Sequence, residues 1–280
     1  MDTNNVKDKQ LVFSLELTNP YVFRQIFDIY NKFYITSVPF YFKESGITIR
    51  TGTSNKNNRK LISDVEIYTD EIIEYYLNTE ICSVPKSDEQ DACHIEQIDI
   101  NILKSILKSI SKSTSLRMYK WANGDEILID IKGTTTEHTK ICTSKYQSID
   151  YDFGPFENIS NIPNIKIEIT QFCNGMKSMT RGDPEYISFK IFPEGIIVES
   201  RNSNESIMKD WKWGNIKDDY DDTDYVETKV NSSLVKALCK INGMLMYGII
   251  KIISEENGYL KISHKIADYG EHNIYFIDIS

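Results

Sequence analysis

The five cysteines of this 280-residue chain, Cys82, Cys93, Cys142, Cys173 and Cys239, contain no CxxC pair. Their odd number and scatter fit reduced thiols packed as small hydrophobes and exclude a disulfide framework. Apolar runs are short, none approaching the roughly 18 residues of a membrane span, and the polar start MDTNNVKDKQ lacks the apolar segment of a secretory leader. An intracellular protein that avoids membranes is expected. Catalytic signatures are missing as well: there is no Gly-rich phosphate loop, GxSxG elbow or HExxH helix, and His94, His138, His264 and His272 lie far apart, apart from the last two. The chain is therefore not expected to be an enzyme or to carry a cofactor. Cys82, Cys93 and His94 offer only three zinc ligands on a polar stretch. The acidic run Asp218, Asp219, Asp221, Asp222 and Asp224 lacks the glycine and closing Glu of a calcium loop, so no metal is expected either.

What is present is a globular composition, 40% hydrophobic and 11% aromatic, enough for a large core. Alternating or β-branched apolar stretches predict strands at 11–17, 33–42, 46–51, 60–68, 115–121, 125–132, 164–169, 185–192, 195–200, 225–230, 246–254, 258–265 and 273–279. Four helical segments interrupt them, each behind a cap-type residue: 19–32 after Thr18, 100–112 after Asp99, 171–181 after Thr170 and 232–242 after Asn231. The order is strand, helix, then several strands, four times over, which implies an α+β fold built from a duplicated unit. Residues 79–93 and 202–224 read as polar insertions, and 148–164, with two prolines and several large apolar residues, as a connector between two domains at 1–147 and 165–280.

The helices share a feature that opposes the overall charge. Asp and Glu number 41 against 32 Lys and Arg, a formal charge of −9. Yet LKSILKSISK (103–112) repeats Lys104, Lys108 and Lys112 at helical spacing with no acid among them, opposite Ile102, Leu103, Ile106, Leu107 and Ile110. Like charges four apart oppose helix stability, so folding does not account for them. The first helix puts Arg24, Asp28 and Lys32 on its polar side, the third Lys177 and Arg181, the fourth Lys236 and Lys240. Nine cations to one acid on equivalent faces of an acidic chain predict contact with a polyanion.

The segment KISHKIADYGEHNIYFIDI (261–279) resembles the C-terminal signature of the sliding clamp family typified by proliferating cell nuclear antigen (PCNA). The match is carried by Lys265, Ile266, Ala267, Asp268, Gly270, Tyr275 and Phe276, with Tyr269 where a methionine is common. ESGITIRTG (44–52) and PEGIIVESR (193–201) are similar to the corresponding strands of the two clamp domains. The resemblance implies a two-domain DNA clamp, or processivity fold: four helices on the inner face of antiparallel sheets, and three subunits in a ring. Duplex DNA would pass through the ring without sequence readout, contacted by Arg24, Lys32, Lys104, Lys108, Lys112, Lys177, Arg181, Lys236 and Lys240.

The resemblance further implies that DNA polymerase, clamp loader and other clients dock short aromatic peptides in a pocket. It would be formed by Ile149, Tyr151, Phe153 and Pro155 of the connector, Gly243 and Met244, and Tyr275, Ile277 and Asp278, the last two replacing the usual Pro and Ala. Homotrimer contacts would fall on edge strands near 137–146 and 196–206. Other roles on the same fold are a subunit of a heterotrimeric checkpoint clamp, or a monomeric or dimeric viral processivity or late-transcription factor. Asn-, Ile- and Lys-rich usage suits an AT-rich genome such as that of a large DNA virus, and the expected location is the nucleus or cytoplasmic sites of viral replication.

Overall fold

The computed structural model describes residues 10–18, 20–54, 60–81, 94–111, 113–133, 135–143, 164–202, 206–217, 219–221, 225–239, 248–255, 259–266 and 268–277. Four units follow one another, each a strand, a helix and three strands. The first comprises β1 (Leu11–Thr18), α1 (Tyr21–Lys32), β2 (Ser37–Lys43), β3 (Gly46–Ser54) and β4 (Lys60–Tyr68), followed by an additional short strand, β5 (Glu74–Leu77). The second comprises β6 (His94–Asp99), α2 (Ile100–Ile106), β7 (Ser115–Trp121), β8 (Glu126–Lys132) and β9 (Thr136–Cys142). The third comprises β10 (Asn164–Glu168), α3 (Ile169–Met179), β11 (Tyr186–Phe192), β12 (Gly195–Arg201) and β13 (Ile207–Gly214). The fourth comprises β14 (Val226–Asn231), α4 (Ser232–Leu238), β15 (Ile249–Glu255), β16 (Tyr259–Ile266) and β17 (Gly270–Ile277).

Three sheets result, ordered β5-β1-β7-β8-β9, β10-β15-β16-β17-β4-β3-β2-β6 and β13-β12-β11-β14. The eight-stranded sheet crosses the midpoint of the sequence because β17 pairs antiparallel with β4, from Gly270 opposite Ile67 to Phe276 opposite Leu61. The KIADYG stretch turns into this joint: Tyr68 N donates to Tyr269 O at 2.9 Å, and Tyr269 N to Ile266 O at 2.9 Å. Gly270 is required there, since a Cβ would lie 1.8 Å from the Glu66 carbonyl oxygen. The helices cover one side, with Phe23, Ile26, Phe27 and Tyr30 of α1, Leu103 of α2, Phe172 and Met176 of α3, and Leu234, Val235 and Leu238 of α4 all buried.

The structure moves several expected boundaries. Asp99 and Asn231 do cap α2 and α4, accepting from Asn101 N at 2.7 Å and Ser233 N at 3.0 Å. Thr18 and Thr170 are not caps: α1 begins behind Pro20 and α3 behind Glu168, neither with a side-chain cap bond. The first helix ends in a left-handed residue, Tyr34 at φ 62°, with Ile35 N donating to Tyr30 O, so the next strand starts at Ser37 and not at residue 33. Residues 202–224 are not merely an inserted loop, because they contain β13, whose exposure alternates along its length. Strands β5 and β6 were not expected: EYYL is short, and HIEQID alternates weakly.

A buried polar chain lies under the β17–β4 joint. Ser63 Oγ donates to Tyr30 Oη at 3.1 Å and lies 2.7 Å from His272 Nε2, while the His264 ring packs edge-on to His272 with centroids 4.9 Å apart. Burial pushes the Tyr30 phenol up. It also holds both imidazoles neutral, with His264 lowered to about 4 and His272 well below the usual range through burial and the neighbouring ring. Because the unfolded histidines protonate near 6.5 and the folded ones do not, stability is full above that pH and declines as pH falls through it. Unfolding free energy measured by denaturant titration is expected to drop by between about 1 and 2 kcal/mol on account of His264 between about pH 6.5 and pH 5, with a further loss of the same sign from His272. His264→Leu should remove one of the two contributions, and a flat profile would show that the rings are not held neutral.

Candidate nucleic-acid interface

The polar faces of the helices carry most of the expected cations. On α3 the core side is Ile169, Phe172, Cys173, Met176 and Met179, which leaves Asn174 and Lys177 exposed, with Arg181 exposed in the turn that follows. On α4, Leu234, Val235 and Leu238 point inward and Lys236 outward. Lys32 and Lys108 are exposed, and Arg24 and Lys104 are half-buried. The helices touch in the sequence α2, α1, α4, α3, so one contiguous layer runs across both halves of the chain.

Within that layer the cations have different duties. Arg24 Nη1 donates to the backbone carbonyls of Lys108 at 3.1 Å and Ile110 at 3.4 Å, where α2 has tightened into a 3₁₀ turn (Leu107–Ser109) and its last carbonyls need partners. Lys104 Nζ lies 3.1 Å from Asp28 Oδ1, which ties α2 to α1. Lys236 Nζ lies 3.0 Å from Asp183 Oδ1 in the turn after α3. Among the described residues Lys32, Lys108, Lys177 and Arg181 have no ion pair. A cavity of about 530 Å³ between α3 and α4 is lined by Lys177, Thr180, Arg181, Asp183, Lys236 and Cys239, an arrangement suited to an anion.

The three-lysine stripe of 103–112 is corrected by the structure. Regular helix stops at Ile106, and Ile110 is already extended at ψ 128°, so only Lys104 and Lys108 share the helical segment. Ser105 Oγ and Ser109 Oγ donate to the carbonyls three residues earlier, a local bond that competes with continued helix. Lys112 and Lys240 lie outside the described residues. So do Ile149, Tyr151, Phe153, Pro155, Gly243, Met244 and Asp278 of the expected peptide pocket. Tyr275 and Ile277 are placed on the face of the eight-stranded sheet away from the helices, Tyr275 5% exposed with Lys261 Nζ 5.3 Å from its ring centre.

The strand edges also differ from expectation. Residues 136–142 do form an edge strand, β9, but β12 (195–201) is internal, because β13 pairs along its whole length and becomes the edge. Trp211 of β13 packs over α3 at Gly175, where a Cβ would come within 2.7 Å of the indole, and this packing anchors β13. The tryptophans at 211 and 213, alternating with Lys209, Asp210 and Lys212, were the sequence signal for that strand. Asp183 gave no sequence signal as a member of the basic layer, since Arg181-Gly182-Asp183 has the composition of a turn after a helix.

Four repeated units, helices on one side and sheets on the other, define the clamp fold. No family model and no curated protein sequence matches the chain. Solved structures do: PCNA from Entamoeba histolytica is similar over 97% of this chain and 100% of its own, with a TM-score of 0.72 at 12% identity. A chain of the PCNA2–PCNA3 complex from Sulfolobus tokodaii is similar over 95% and 99%, with a TM-score of 0.71 at 14% identity. The protein has the fold of a PCNA-like clamp.

Arg24 is expected to serve the fold more than its neighbours do. Arg24→Ala should lower the unfolding free energy by about 1 kcal/mol or more by stripping the end of α2 of its donor, whereas Lys108→Ala should change it by less than about 0.5 kcal/mol. Equal effects in denaturant melts would remove Arg24 from this role.

Proposed function

We propose that the protein is a sliding clamp that encircles duplex DNA and tethers polymerase and other replication or repair proteins to it. The observation that carries this reading is the contiguous helix layer. Its outward cations suit a phosphate backbone, and flexible lysines contact phosphates without reading bases. Domains at 1–147 and 165–280, joined by 148–164, would each supply two of its helices.

Closure is supported by the repeat itself. The units end in β4, β9, β13 and β17, and β4 pairs with β17 inside the chain. The other two, β9 and β13, each keep one edge unpaired among the described strands. A second copy can satisfy them by the same antiparallel pairing, β9 of one subunit against β13 of the next. Such a heterologous contact generates a ring when the rotation closes. An unpaired edge left in water invites uncontrolled association, which pairing β9 with β13 would remove at these two edges. Three copies are the expected number, and one structural neighbour was itself solved as a complex of two PCNA chains.

Full-length protein is expected to have a mass near three times 32.5 kDa by light scattering. Lys108→Glu/Lys177→Glu should keep that mass and lose most stimulation of a processive polymerase on primed circular DNA. A monomeric mass, or unchanged stimulation, would overturn the ring and the DNA-facing layer respectively.

The outer face supplies the docking site in this reading. Tyr275 and Ile277 of β17, with Tyr151 and Phe153 of the connector, would receive an aromatic client peptide, whose burial yields about 25 cal/mol per Å² before ordering costs. Tyr151→Ala/Tyr275→Ala is expected to weaken such a peptide at least tenfold by calorimetry while DNA retention is kept. Undiminished peptide binding would place the pocket elsewhere.

A further inference from the structure

Each half of the molecule sets one carboxylate inside its own basic layer. In the first, Asp28 of α1 meets Lys104 of α2; in the second, Asp183 meets Lys236 of α4. The two acids are not at equivalent places in the repeat, since Asp28 is within a helix and Asp183 lies after one. Both nevertheless span the same gap, from the first helix segment of a half to the second. Neither pair is sunk in the core: the side chains of Lys104 and Asp28 are 29% and 41% exposed, those of Lys236 and Asp183 63% and 87%. Ion pairs so placed add little to stability.

Asp183 is also held in a backbone conformation that most residues avoid. It has φ 50°, directly after Gly182 at φ 97°. Asp and Asn are among the side chains that tolerate that region, so the turn readily accepts an acid there. Its carboxylate lies at the rim of the cavity that Lys177, Arg181 and Lys236 line, paired with Lys236.

We propose that Asp28 and Asp183 are internal counter-ions, which hold down the affinity of the helix layer for the duplex by occupying one lysine in each half. The proposal rests on the duplex-binding reading above. A lysine that settles on a phosphate frees a cation condensed on the DNA, and that release drives binding and makes it salt-dependent, with a slope of about −0.9 per phosphate neutralised. A lysine already paired must first leave its carboxylate, which then recruits a cation from solution. Release and uptake cancel, so Lys104 and Lys236 contribute little net affinity. The ammonium group can instead pass between carboxylate and phosphate as the backbone moves by, which keeps each contact brief. The layer therefore guides the duplex without gripping it.

The test uses full-length protein and a short fluorescent linear duplex, titrated by anisotropy over a salt series, with Asp28→Asn, Asp183→Asn and the double variant. Asparagine keeps the shape of the side chain and tolerates the left-handed region at 183; Asp183→Gly serves as a second variant there. Each substitution should steepen the slope of log K against log salt by about 0.9 and tighten binding roughly five- to tenfold near 0.1 M salt. Unchanged slope and affinity in the double variant would overturn the proposal. So would weaker binding, which would mean that the acids position the lysines for phosphate contact. Lys108→Glu/Lys177→Glu is measured in parallel. If that reversal leaves duplex binding intact, the duplex-binding reading itself fails; if it abolishes binding while the asparagine variants match wild type, only the counter-ion assignment fails.

Discussion

The antiparallel pairing of β17 with β4 is the constraint on which the rest of this molecule depends. It makes one eight-stranded sheet out of strands that lie some two hundred residues apart in the chain, and it sets the two halves side by side. With the sheets joined there, α1 comes against α4, and the two helix pairs merge into a single layer. Without that register the cations of α1 and α2 would have no fixed relation to those of α3 and α4. The joint is correspondingly specific. Gly270 admits the Glu66 carbonyl, Tyr269 bonds to Tyr68, and beneath them Tyr30, Ser63, His272 and His264 fill the interior with polar groups. Buried polar contacts of this kind favour one register over its neighbours, since a slip would strand each of them without a partner.

The same pairing bears on two of the six sheet edges among the described strands. A repeat that joins its first and fourth units internally leaves its second and third units with edge strands, β9 and β13, and both resemble exposed strands more than core ones. β9 carries Glu137, His138 and Lys140 outward, and β13 alternates charged residues with Trp211 and Trp213. Charges on an edge discourage indiscriminate pairing while still permitting a partner of matching shape. The joint inside the chain and the joint between copies are thus two uses of one geometry in the proposed ring.

Much of this was legible along the chain. The helices betrayed themselves by the spacing of Val22, Phe23, Ile26 and Phe27, or of Phe172, Met176 and Met179, because a 3.6-residue period is a local property. Asp99 and Asn231 announced two helix starts for the same reason, a short side chain reaching its own backbone. Weaker signals misled: Thr18 stands before α1 without capping it, Thr170 lies inside α3, and the spacing of Lys104, Lys108 and Lys112 suggested a helix longer than the serines between them allow. β13 was hidden inside a polar stretch because an edge strand needs an apolar residue only at every second position, here Trp211 and Trp213.

The sequence by itself determined the four units, the sidedness of each helix and the excess of cations on those sides, since all three follow from periodicity and composition within a dozen residues. Only the tertiary structure decided what the cations do. Arg24 caps the end of α2, Lys104 and Lys236 meet Asp28 and Asp183, and Lys32, Lys108 and Lys177 face outward. These assignments depend on distances between residues dozens of positions apart. Such distances exist only once β17 has found β4 and the helices have come to rest against one another.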